Sequence, residues 1–139
     1  MTSTRQDPSP AHLEVRPSQI QGRGLFATTI LPAKRKLGEV SGTLVKLPQA
    51  RHKVQSRQRI YLVEVSRRLA LDCSRGNFFR FLNHSCRPNC YLRVYRHRVE
   101  VYSLAPLAPG TELTVDYGAT PHQDGMKCRC GNATCRTVL

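Results

Sequence analysis

The chain contains no apolar run close to the ~20 residues that a membrane-spanning helix needs. Its opening MTSTRQDPSPAH has no apolar stretch of the secretory type. A helical span and a classical export signal are therefore not expected, and residues 1–12 read as a disordered polar tail. Acidic residues are also scarce: nine Asp and Glu stand against 22 Lys and Arg, for a formal net charge of +13. Lysine is limited to Lys34, Lys36, Lys46, Lys53 and Lys127, so arginine carries most of that charge. The chain has no internal repeats, which argues against a solenoid or propeller. No nucleic-acid-binding motif accompanies the basic groups at 34–36, 51–59, 67–68 and 93–98, so the charge by itself points only to weak, sequence-independent association with polyanions.

What is present fits one compact domain of 139 residues, 40% hydrophobic and 22% charged. Six cysteines in a chain without an export signal suggest a reducing compartment, where metal ligation is a better reading than disulfides. Three of them, Cys128, Cys130 and Cys135, crowd into KCRCGNATC, where thiolates on a tight turn can converge on one Zn²⁺ and Gly131 lets the chain bend. A structural zinc site takes four ligands, so one comes from elsewhere. Cys73, Cys86, Cys90 and His122 are the candidates.

Short segments rich in β-branched and aromatic residues predict strands at 24–30, 37–45, 60–65, 69–73, 90–95, 98–104 and 111–117. Residues 91–104 read as a hairpin, although Arg96 and His97 are poor tight-turn residues. Helix is expected around 48–57 and 76–82, and GATPHQDGMK (118–127) reads as a linker to the cysteine tail. Gly22-Arg23-Gly24 precedes a strand instead of a helix, so it is a tight turn or a place of close ligand approach and not a dinucleotide fingerprint. The stretch FRFLNHSCRPNC delivers Asn83, His84, Ser85 and Cys86 to one point after an apolar approach, which no ordinary core strand requires.

Taken in order, GRGLFAT, LGEV, IYLVEV, RFLNHSCRPN, GTELTVDYG and CRCGNATCR resemble the motifs of the SET domain family of protein lysine methyltransferases, over residues 13–136. The resemblance implies a mainly β fold, several small curved antiparallel sheets around a C-terminal pseudoknot in which residues 80–90 lie against 112–118. It places a catalytic SET domain at 13–118 and a linker with a zinc-bound post-SET tail at 119–139. S-adenosylmethionine is the implied cofactor, held by Gln21, Gly22, Arg23, Gly24, Tyr61, Arg80, Asn83, His84, Tyr117 and Arg129. Cys86 is the implied fourth zinc ligand beside Cys128, Cys130 and Cys135. The short connection between Val65 and Leu71, and CRT where the family more often has CRG, suggest a minimal stand-alone member of the kind bacteria and viruses carry.

In that reading Tyr117 and Tyr61 are catalytic: Tyr117 holds the lysine amine and Tyr61 lines an apolar channel that desolvates it. Val115 takes the position, two before the closing tyrosine, where an aromatic side chain tends to limit the number of methyl groups added, so multiple methylation is expected. The implied partner is a histone or other basic or DNA-associated protein. A net charge of +13 suits a basic tail only if Glu39, Glu64, Asp72, Glu100 and Glu112 gather at the groove. The expected location is cytoplasmic, or nuclear in a eukaryotic host. A SET fold without catalysis and a zinc-dependent nucleic-acid module are the alternatives.

Overall fold

The computed structural model of the chain describes residues 12–49 and 62–116. Ten short strands run in chain order: β1 (Leu13–Pro17), β2 (Arg23–Ala27), β3 (Lys36–Val40), β4 (Thr43–Lys46), β5 (Leu62–Glu64), β6 (Leu69–Asp72), β7 (Asn83–His84), β8 (Cys90–Tyr95), β9 (Arg98–Ser103) and β10 (Thr114–Val115). They form four small sheets: β1 with β2, β3-β9-β8, β4-β6-β5, and β10 with β7. The first three are antiparallel, as the sequence leads one to expect. The fourth departs from that expectation, because β10 runs parallel to β7 with Thr114 opposite Asn83 and Val115 opposite His84.

The expected strand at 37–45 is two strands. Ser41-Gly42 breaks it, and a Cβ on Gly42 would lie 2.5 Å from the Asp72 carbonyl oxygen, so only glycine lets β4 swing onto β6. The segment 76–82 contains a 3-10 helix, Phe78–Phe81, shorter than the helix expected there. Asn77 caps it by accepting from the Phe79 N–H and also donates to the Glu39 carbonyl, so the cap fastens the turn to β3. Residues 47–49 are helical, and most of the helix expected at 48–57 lies outside the described residues.

Alternation along β9 turns Val99, Val101 and Ser103 inward and Arg98, Glu100 and Tyr102 outward. Val99 and Val101 join Leu25, Phe79, Cys90 and Leu113 in one continuous core. Each large apolar side chain fully removed from water there contributes about 1.5–3 kcal/mol. Val115 belongs to the same core, and Thr114 and Val115 of the GTELTVDYG segment lie beside Asn83 and His84.

Candidate active site

The Phe78–Phe81 turn ends at Leu82, and the two-residue strand that follows buries Asn83 and His84 with 2% and 5% of their surface exposed. Four acceptors surround the Asn83 Nδ2: Ser18 Oγ, the carbonyls of Gln21 and Arg23 at 3.1 Å each, and Glu112 Oε2 at 2.9 Å. Ser18 Oγ in turn donates to both Glu112 carboxylate oxygens at 2.9 Å and accepts from the Ile20 N–H. A buried amide and a partly buried carboxylate thus hold the glycine-rich loop against the polar run. Such polar groups are tolerated away from water because each has partners.

Glu112 was not singled out for this role by its sequence context. The signal for it is Gly24: a Cβ there would collide with Glu112 Oε2 and lie 2.8 Å from its Cδ. The close approach that the glycine permits is therefore to this carboxylate. Gly22 has φ of 49°, the left-handed turn its position in Gly-x-Gly suggests, and its carbonyl accepts from the Ser18 N–H at 2.8 Å. Asn89 closes the RFLNHSCRPN motif and is a second residue to which the sequence assigned no role. Its Nδ2 donates to the Glu112 carbonyl and its Oδ1 accepts from the Thr114 N–H, at 2.8 and 2.9 Å, pinning the last strand from the other side.

His84 has Cys86 Sγ 3.3 Å from its Nε2 and Asp116 Oδ1 3.7 Å from its Nδ1. Both ring nitrogens, like the Asn83 amide nitrogen, face protein groups. Arg80 donates to the Gly76 carbonyl at 2.7 Å and packs its guanidinium over the Phe81 ring. Gln21, Gly22, Arg23, Gly24 and Asn83 thus meet around Ser18 and Glu112. His84 follows Asn83 on β7 with its own partners, and Arg80 is bonded within its own turn and is not joined to that network by the hydrogen bonds described. Tyr61, Tyr117 and Arg129, and the tail ligands Cys128, Cys130 and Cys135, lie outside the described residues, as does His122.

The candidates for the fourth zinc ligand differ sharply in setting. Cys73 and Cys90 are buried in the core, and burial pushes both thiols up to about 12, with Asp72 adding to the effect at Cys73. Neither suits a metal that binds thiolate. Cys86 is partly exposed next to a buried imidazole, a donor set in keeping with zinc. Among the described residues no three His, Cys, Asp or Glu side chains come together as a complete metal cluster.

The acidic residues do not gather at one groove. Glu39 takes a bidentate contact from Arg98 at 2.7 Å, and Glu100 is held by Lys36 at 3.0 Å and Arg93 at 3.2 Å. The Lys36 contact holds the Glu100 carboxyl below its ordinary range. Asp72 accepts from Ser74, and Glu112 serves the loop network.

The model of the SET domain family matches residues 22–118. The histone-lysine N-methyltransferase set-2 of Caenorhabditis elegans is 35% identical over 88% of this chain and 9% of its own length. Trithorax of Drosophila virilis, also named a histone-lysine N-methyltransferase, is 34% identical over 88% of this chain and 3% of its own. A Schizosaccharomyces pombe protein named as an H3 lysine-4 specific histone-lysine N-methyltransferase is 34% identical over 91% and 15%. The chain therefore spans a small fraction of the length of each of these relatives.

Proposed function

Since the chain belongs to the SET domain family, we propose that it is a protein lysine N-methyltransferase that uses S-adenosylmethionine. The observation that carries this reading is the convergence of three separate segments, residues 18–24, 83–86 and 112–116, on Asn83 and Glu112. This convergence holds the glycine-rich loop, the polar turn and the strand that precedes Tyr117 in sequence in one network.

When bound, S-adenosylmethionine supplies a methyl group on a sulfonium, open to attack by an amine. Gln21, Gly22, Arg23 and Gly24 would present main chain to it, and Arg80 would offer positive charge to its carboxylate. Asn83 and His84 commit side-chain nitrogens to protein partners, so we assign their contribution to main-chain groups and to shape. Tyr61 would line the lysine channel and Tyr117 would orient the deprotonated amine through its hydroxyl, while the dry channel favours the neutral, nucleophilic form. The relatives' names support a histone as substrate class.

Val115 is buried in the core opposite His84, whereas Tyr95 and Tyr102 lie on the outer face of the β3-β9-β8 sheet. Neither of those tyrosines fills the space that an aromatic residue at position 115 would occupy, which supports addition of more than one methyl group. The tail is proposed to bind one zinc ion through Cys86, Cys128, Cys130 and Cys135, and Arg129 to cover the adenine.

Incubating the full chain with labelled S-adenosylmethionine, histones and other protein pools, followed by mass spectrometry, tests the reading. Label is expected on lysine, with di- or trimethyl product accumulating. Tyr117→Phe is expected to lower turnover by about 10-fold or more while cofactor affinity changes little, because the hydroxyl acts mainly in the transition state. Absence of labelled lysine in every pool, or unchanged turnover in Tyr117→Phe, counts against the reaction or against that residue's role respectively.

A further inference from the structure

The three non-glycine residues with positive φ among those described are Lys34 at 60°, Arg96 at 51° and His97 at 63°. All are basic or imidazole side chains in a backbone conformation that favours glycine or asparagine. Lys34 is locked there by Ser103, a fully buried residue on β9. Its main chain accepts from the Lys34 N–H at 2.8 Å, and its hydroxyl accepts from the Arg35 N–H at 3.0 Å. Strain kept at three cationic or imidazole positions asks for a use.

The long side chains of Lys34 and Arg96 reach tyrosines on one surface. The Lys34 Nζ lies 5.8 Å from the Tyr91 ring centre, and Arg96 and Arg93 lie 5.3 and 5.2 Å from that of Tyr95. Tyr91 and Tyr102 are cross-strand partners and stack at 5.4 Å with their planes 15° apart. Alternation puts Tyr91, Arg93, Tyr95, Arg98, Glu100 and Tyr102 on the same outer face of the β3-β9-β8 sheet, opposite the core.

We propose that this face binds single-stranded nucleic acid, separately from methyl transfer. Bases would stack on Tyr95 and on the Tyr91–Tyr102 pair, about 13 Å apart along β8 at ~3.3 Å per residue. Lys34 and Arg96 would take the adjoining phosphates. Single strand fits better than duplex because the cations that remain are few. Lys36, Arg93 and Arg98 are committed to Glu100 and Glu39, whereas Tyr95 is 49% exposed and an unstacked base would take the place of the Arg93 or Arg96 guanidinium now set over its ring, freeing Arg96 for a phosphate. A duplex gripped by charge alone wants a denser set of phosphate contacts.

Fluorescence anisotropy of the full chain with a labelled mixed-sequence single strand of about twelve nucleotides, and with the same sequence as duplex, tests this. The single strand is expected to bind more tightly at about 50 mM salt and to weaken steeply by about 200 mM. Tyr95→Ala should weaken single-strand binding by about 5- to 100-fold, with Tyr95→Phe restoring it. Arg96→Ala should reduce the slope of log affinity on log salt by about 0.7. A pair of substitutions in the turn between β5 and β6, Arg67→Ser with Arg68→Ser, should have a smaller effect than Tyr95→Ala. Duplex bound as tightly as single strand, polyglutamate competing as well as the oligonucleotide, no binding at low salt, or unchanged affinity in Tyr95→Ala each overturns the proposal. Melting curves of the exposed-site variants confirm that they remain folded.

Discussion

Glu112 and Gly24 are a matched pair, since the carboxylate occupies the space where any larger residue at 24 would place its Cβ. Gly24→Ala is expected to cost about 1–3 kcal/mol by overpacking, measured by urea unfolding. In a Glu112→Ala background the same change should cost at least about 1 kcal/mol less, because the colliding group is gone. Equal costs in the two backgrounds would mean that Glu112 does not confine position 24. The core thiols give a pH signature. Burial raises Cys73 and Cys90 from an ordinary value of 9.0 to about 12 in the folded chain, so between those values the unfolded chain binds fewer protons than the folded one. Their contribution to stability is complete below pH 9 and is lost as pH rises toward 12. The slope is at most about 1.4 kcal/mol per pH unit for each thiol. Unfolding series at pH 8 and above should therefore fall more steeply for the native sequence than for Cys73→Ala with Cys90→Ala; matching slopes would rule out this linkage.

The β8–β9 hairpin shows how far an element can be read and where reading stops. Its strands follow from alternation, and their register pairs Tyr95 with Arg98 across a two-residue turn. That turn was expected to be awkward for Arg96 and His97, and it is: both take left-handed φ, the conformation a tight hairpin demands. Replacing them by Asn and Gly, Arg96→Asn with His97→Gly, is expected to stabilise the fold by about 1–2 kcal/mol, visible as a higher Tm. A lower Tm would show that the side chains contribute more than their backbone costs. The two-residue strands β7 and β10 were beyond reach of pattern, because two residues carry no periodicity. Asn89, which fastens Thr114 and the Glu112 carbonyl, closes the RFLNHSCRPN motif, but the motif does not reveal those partners.

At the scale of the whole molecule, the cysteine tail and the body are expected to be joined through one metal ion. One zinc per chain is predicted, lost in Cys86→Ser and retained in Cys90→Ser, because the Cys90 thiol is shut in the core and kept protonated. Metal analysis of the purified variants reads this directly, and the opposite pattern would exchange the two residues' roles. The sequence by itself determined the family, the β-rich class, most strand positions and the residues of the polar run, because these rest on local alternation, turn chemistry and ordered motifs that one chain displays without being folded. It also determined the excess of positive charge. Only the tertiary structure decided where that charge is already neutralised, since Glu39 and Glu100 meet their cations across strands. The same holds for the parallel contact of β7 with β10, the exclusion of Cys73 and Cys90 as exposed ligands, and the meeting of Ser18, Asn83 and Glu112. These depend on partners separated by up to 94 positions. A hydrogen bond or a buried thiol acquires its energy from what surrounds it, and sequence neighbours do not supply those surroundings.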